Sequence, residues 1–130
     1  LFITARPDQR ETLKPLISCW LEIAFNAVMS LAPDQQRILW FMIDELPALQ
    51  HLPSLPLALA ELRKYGGCIM AGIQGMPQIS DLYGHAGSQA ILDLFNTFIF
   101  FRSTDPQTTG WISKVLGEKD ETEIVENLSY

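Results

Sequence analysis

The adjacent acids Asp44 and Glu45 are the first residues whose type and spacing could do chemistry. They end an apolar run, Ile38-Leu39-Trp40-Phe41-Met42-Ile43. A hard cation lying beside phosphates takes carboxylate oxygens, and an acid at the end of a rigid buried strand supplies one. The second acid is placed to accept a proton from an attacking water as a general base. The plainer alternative is that Asp44 caps the following turn and Glu45 is solvated.

Gln74 ends a second apolar run, Cys68-Ile69-Met70-Ala71-Gly72-Ile73. A side-chain amide both donates and accepts hydrogen bonds. At that place it could touch a terminal phosphate or the water that attacks it, or simply bond to loop backbone. Arg63 falls in the last turn of a helix, within Leu62-Arg63-Lys64-Tyr65. A cation there is favoured by the helix C-terminus. The sharper reading is an arginine finger reaching a phosphate bound by a neighbouring subunit. Arg102, after a third apolar run, reads either as a second phosphate-side cation or as a plain loop residue.

Other residue types offer less. His51 and His85 have no partner pattern, and no GxSxG surrounds Ser54, Ser80 or Ser88. Cys19 and Cys68 are far apart, without a CxxC or a Cys/His cluster, which argues against zinc and fits a reducing compartment. The Leu/Pro run at 52–57 reads as packing.

The elements that must hold these residues follow from periodicity. Leu1-Phe2-Ile3-Thr4 reads as the end of a strand. After Asp8, apolar residues recur at three- and four-residue steps from Leu13 to Val28, which predicts a helix closed by Pro33-Asp34. The run 38–43 is apolar at every position, so it predicts a strand buried on both faces, as in a parallel sheet. Pro56 opens a helix to about Tyr65, and Gly66-Gly67 ends it. A second strand covers 68–73. Helices are expected over 77–83 and about 88–95, a third strand over 97–101, and a helix capped by Asp105 and ended by Gly117. Strand and helix alternate, so the fold is α/β with a mainly parallel sheet flanked by helices. In such sheets ligands bind at the carboxyl ends of strands, where Asp44, Glu45, Gln74 and Arg102 lie.

The 130 residues, with no internal repeat or linker, read as one unit. Apolar residues make up 48% and charged ones only 18%, so part of the apolar surface is expected to be covered from outside these residues. The net charge of -6 offers no basic face for nucleic acid, so DNA contacts must come from a few local cations or from other parts of the protein. No apolar run reaches the roughly 18 residues that cross a bilayer. No signal peptide is read, and the start without Met implies a chain that begins inside a longer protein.

No GxxxxGK[ST] phosphate loop occurs. If the acids serve a P-loop ATPase, that loop must lie upstream.

With these residues in place, a resemblance emerges. Ile43-Asp44-Glu45-Leu46-Pro47, Leu52-Pro53-Ser54-Leu55-Pro56, Ala58-Leu59-Ala60-Glu61 and Arg63-Lys64-Tyr65-Gly66-Gly67-Cys68 resemble TraD-type conjugative coupling proteins. The likeness continues through Gly72-Ile73-Gln74, Pro77-Gln78, Asp81-Leu82-Tyr83-Gly84, Asn96-Thr97 and Phe101-Arg102. It extends into Thr104-Asp105-Pro106, Trp111 and Gly117-Glu118-Lys119. It covers nearly the whole chain, and the segment 63–68 with the Gln74 motif is its most specific part.

The resemblance implies a partial RecA/FtsK-like P-loop NTPase domain, with residues 1–130 as the C-terminal part of the motor. The Walker A half, membrane helices and inserted helical domain would come before Leu1. It implies a homo-hexameric ATPase on the cytoplasmic face of the bacterial inner membrane, using ATP and Mg2+. Its partners would be DNA, a relaxase and a type IV secretion channel. Asp44 and Glu45 match the Walker B acids, with Asp44 toward the metal. Gln74 matches the motif-three glutamine, and Arg63 a position associated with a trans-acting finger. Arg102 would be a second phosphate-side cation. Without its phosphate loop this piece alone is expected to be inactive. An FtsK-type chromosomal translocase is the near alternative. A non-catalytic interaction module that keeps the fold is the distant one.

Overall fold

The computed structural model describes residues 1–34 and 36–117. The acidic tail, with the Glu118-Lys119 part of the resemblance, lies outside the described residues.

A 3-10 turn at Pro7–Gln9 leads into helix α1, Arg10–Met29. The apolar steps from Leu13 to Val28 generate it, and Phe25 is its deepest residue, fully buried. Strand β1, Leu39–Ile43, follows and ends at the acid pair. A 3-10 turn at Leu46–Ala48 and helix α2, Leu55–Glu61, carry the chain back. The last turn of that helix tightens to 3-10 over Leu62–Tyr65. Gly66 stops it in the left-handed region at φ 80°. Gly66 also packs on the backbone of Arg37, where a Cβ would collide with the Arg37 carbonyl. Only glycine satisfies both demands.

Strand β2, Gly67–Ala71, then pairs parallel with β1, in a register from Leu39 opposite Gly67 to Ile43 opposite Ala71. Helix α3, Met76–Asp93, crosses next, and helix α4, Pro106–Leu116, closes the described chain. In α3 the expected break between two helices falls at Gly84, a kink with φ 71° and ψ 166°.

The core sits under one face of the sheet, between α1, α2 and α3. Phe25, Leu46, Leu52, Leu55, Ile79 and Ile91 are essentially inaccessible. Phe41 meets Phe25 edge to face at 4.9 Å. Burying a large apolar side chain of this kind contributes about 1.5–3 kcal/mol.

Three expectations are corrected. Residues 1–4 form no strand and are largely exposed, because among the described residues no neighbouring strand pairs with them. Strand β1 is not buried on both faces: Phe41 and Ile43 turn inward, while Trp40 and Met42 remain 61% and 72% exposed. No layer covers that outer face among the described residues. Finally, residues 97–101 join no ladder. Their apolar pattern is satisfied differently, with Phe98 and Phe100 stacked at 5.8 Å and both set edge-on against Trp111 of α4.

Candidate functional site

The two parallel strands deliver their polar residues to one edge. Past Ile43 and Ala71 the backbones remain joined: Gly72 N–H donates to the Ile43 carbonyl at 2.7 Å, and Leu46 N–H donates to the Gly72 carbonyl at 2.9 Å. The approach is so close that a Cβ on Gly72 would overlap the Asp44 carbonyl oxygen. A glycine inside a strand pattern often marks such a backbone approach. That signal in Ala71-Gly72-Ile73 is the one sequence reasoning left unused.

The closure brings two expected site residues into contact. Gln74 Nε2 donates to Glu45 Oε2 across the strand ends. The second oxygen, Glu45 Oε1, is shielded from solvent and has no partner among the described residues. Asp44 is exposed beside it, and its carboxylate takes part in no hydrogen bond or ion pair among the described residues. An unpartnered, desolvated carboxylate oxygen next to a free carboxylate fits a hard divalent cation or a polarised water. Among the described residues no three His, Cys, Asp or Glu side chains converge. The donor set is therefore the one or two carboxylates that Mg2+ uses when phosphates and water fill its other positions.

The turn after Gln74 is anchored from α4. Asp105 caps that helix, its Oδ2 accepting from Thr108 N–H at 2.7 Å and from Thr108 Oγ1 at 2.6 Å. These bonds, the hydroxyl's first, hold the Asp105 carboxyl below the usual carboxylate range. Thr108 Oγ1 in turn accepts from Met76 N–H at 2.9 Å. The sequence marked Asp105 as a cap but gave no sign of the bond from Thr108 to residue 76.

The loop after the acid pair is held equally firmly. Gln50 N–H donates to Ser18 Oγ at 3.0 Å, Ser54 N–H to Glu22 Oε1 at 3.2 Å, and Leu52 N–H to Tyr83 Oη at 3.2 Å. Burial pushes the Tyr83 phenol up, against the opposing effect of the Leu52 bond. His51 lies on the Tyr83 ring at 4.7 Å and is otherwise a loop residue, as expected.

A cleft of about 910 Å³ runs along the free edge of β2, bounded on the far side by residues 94–103. Residues from both faces of β2 line it, Cys68 and Met70 from one, Ile69 and Ala71 from the other. It is therefore a gap beside the strand, not a pocket on a face. Asp44, Gln74, Arg63 and Arg102 all reach its wall, but they do not converge. Arg102 precedes Asp105 by three residues, and α4 touches the Gly75-Met76 turn, so Arg102 stands at the end where Gln74 lies. Arg63 precedes Gly67, at the opposite end of β2. Five strand residues at about 3.3 Å each put roughly 16 Å between the two ends. Within one chain, Arg63 and the acid pair do not share a site.

Helices packed on a parallel sheet, with acids and an amide at the strand carboxyl ends, make this a mixed α/β unit. It matches the arrangement expected of a partial RecA/FtsK-like domain. Residues 1–130 match the family described as type IV secretion-system coupling protein DNA-binding domain, and the chain belongs to that family. Coupling protein TraD of Escherichia coli (strain K12) is 39% identical over 130 residues, which is all of this chain and 18% of TraD. Protein VirD4 of Rhizobium rhizogenes is 26% identical over 120 residues, 91% of this chain and 18% of VirD4. The chain thus spans under a fifth of the length of these relatives. Among solved structures, plasmid coupling protein TrwB in complex with ADP and Mg2+ superposes with a TM-score of 0.71 at 41% identity, over 73% of this chain and 23% of TrwB. TrwB with the ATP analogue ADPNP gives 0.70 over the same share.

Proposed function

We propose that this chain is the C-terminal part of a coupling-protein motor that hydrolyses ATP to drive DNA into a type IV secretion channel. The observation that carries the reading is the contact between Gln74 and Glu45, with Glu45 Oε1 left unpartnered at the carboxyl ends of two parallel strands. The coupling-protein relatives, and the TrwB structures in complex with nucleotide, support the same reading.

In this reading the cleft beside β2 takes a strand from the rest of the polypeptide. A strand inserted between β2 and residues 97–101, at about 4.8 Å from each neighbour, needs a gap of roughly 10 Å. That strand would end in the phosphate loop next to Gln74. ATP bound there with Mg2+ supplies the electrophilic terminal phosphorus. Asp44 offers its exposed carboxylate to the cation, directly or through water. Glu45 uses Oε1 to take a proton from the attacking water. Gln74 holds Oε2 so that Oε1 keeps its aim, and its own amide oxygen remains to orient that water. Arg102 stands on the phosphate side, where its charge offsets that of the phosphates. Arg63, at the far end of β2, serves the site of the next subunit in a homo-hexameric ring.

The protein as a whole would work on the cytoplasmic face of the bacterial inner membrane, receiving relaxase-bound DNA. No helix among the described residues is long and apolar enough to cross a membrane, so in this reading the anchor lies elsewhere in the polypeptide.

Glu45→Gln in the full-length protein tests this. It removes only the water-activating carboxylate, so nucleotide affinity should stay within about twofold while hydrolysis falls by at least about a hundredfold. Unchanged turnover would leave a non-catalytic module as the better description.

A further inference from the structure

Thr108 is the third residue of α4, and the residue is 9% exposed. A hydroxyl has one proton to give. At 2.6 Å that proton is committed to Asp105 Oδ2, which leaves the oxygen lone pairs for Met76 N–H. The ionised state of Asp105 fixes this direction, because a carboxylate only accepts. Met76 opens α3, so its N–H has no acceptor within the helix, and the residue is only 6% exposed. Thr108 is therefore its one partner among the described hydrogen bonds.

Two residues before Met76 stands Gln74. Its side chain is exposed, and its hydrogen bond to Glu45 is the one it makes among the described residues. Packing does not hold it, so its aim depends on the backbone on either side. The β1–β2 pairing, extended through Gly72, fixes one side. On the other, the bond from Met76 to Thr108 fixes the turn. Gly75 lies between them so close to α4 that a Cβ there would sit 3.1 Å from Thr108 Oγ1.

We infer that Thr108, oriented by Asp105, is a positioning residue that sets the turn after β2 so that the Gln74 amide reaches Glu45. This rests on the reading of Gln74 and Glu45 as parts of a hydrolytic site. It adds that the site is tensioned from α4, the helix that follows the Arg102 segment.

The test uses the full-length protein carrying Thr108→Val, which keeps the shape and removes the hydroxyl. Turnover should fall about tenfold with KM for ATP within about twofold, since misplacement of a positioned group acts on the reacting geometry. Amide exchange of the peptide 72–76 should rise in the absence of nucleotide. Thr108→Ser should restore both. Asp105→Asn, which weakens the acceptor, should give smaller changes of the same sign and serves if the valine variant does not fold. Gln74→Ala is the control that separates the two claims. If Gln74→Ala lowers turnover and Thr108→Val does not, the positioning role is overturned and the site reading stands. If Gln74→Ala leaves turnover unchanged, the site reading fails and takes this inference with it. A loss in Thr108→Val that serine does not repair would mark a merely structural threonine and overturn the inference.

Discussion

Gln74 and Glu45 face each other across the ends of a parallel strand pair, the amide donating to one carboxylate oxygen and leaving the other without a partner. The bond needs an amide on one side only. Gln74→Glu keeps the size and places two carboxylates in contact, and like charges at that distance do not both ionise freely. The shared proton raises the pair's titration in the folded state above the unfolded value of about 4.3. A raised folded value means stability that is present below about pH 4 and lost as the pH rises through the folded value. The variant should therefore match the parent near pH 4 and be about 1 kcal/mol less stable at pH 7.5. Thermal unfolding at both pH values reads this, and an equal shift at each would show that the side chains at 45 and 74 do not meet.

Gly72 is required for space. A side chain there would meet the Asp44 carbonyl oxygen and its carbon, and both are backbone, so no rotamer change relieves the clash. In Gly72→Ala the strand ends must part, which breaks the bonds of Gly72 N–H to Ile43 and of Leu46 N–H to Gly72. The expected cost is about 1–3 kcal/mol in denaturant unfolding. Hydrolysis should fall with it, because Glu45 and Gln74 separate. A variant with the parent's midpoint and turnover would show that the strand ends do not need this approach.

The parts of this molecule that a sequence displays are those that depend on one segment at a time. The apolar runs before Asp44 and before Gln74 each form a strand, and Gly66 ends a helix for reasons local to its own backbone. The break in α3 was visible as a gap between two helical patterns around Gly84. What stayed hidden depends on a second body. Apolarity at Trp40 and Met42 does not say which layer covers them, and in the described residues nothing does. The run 97–101 has the composition of a strand, but a strand exists only against a neighbour, and here Phe98 and Phe100 lean on Trp111 instead. The bond from Met76 to Thr108 spans 32 residues, beyond any local pattern. Arg63 was legible as a helix-end cation, yet its distance from the acids follows only from the parallel register.

That distance decides how Arg63 can act. It is exposed, forms no ion pair among the described residues, and lies at the amino end of β2 while Glu45 and Gln74 lie at the carboxyl end. Arg63→Ala should change stability by less than about 0.5 kcal/mol, as substitutions at such surface positions do. If Arg63 is a finger in a ring of identical subunits, the same variant should lose most of its hydrolysis. Mixing then separates the finger from a structural arginine. An Arg63→Ala subunit keeps its own Glu45, and a Glu45→Gln subunit keeps its own Arg63. Each is inactive alone, but in random mixed rings about one interface in four joins an intact Glu45 to an intact Arg63. Equal mixing should therefore recover about a quarter of the parent's hydrolysis. An arginine acting within its own chain gives no recovery, because neither subunit type holds the complete set. Activity measured across mixing ratios distinguishes the two: a maximum at equal proportions supports the finger, and a flat inactive profile assigns Arg63 to its own subunit.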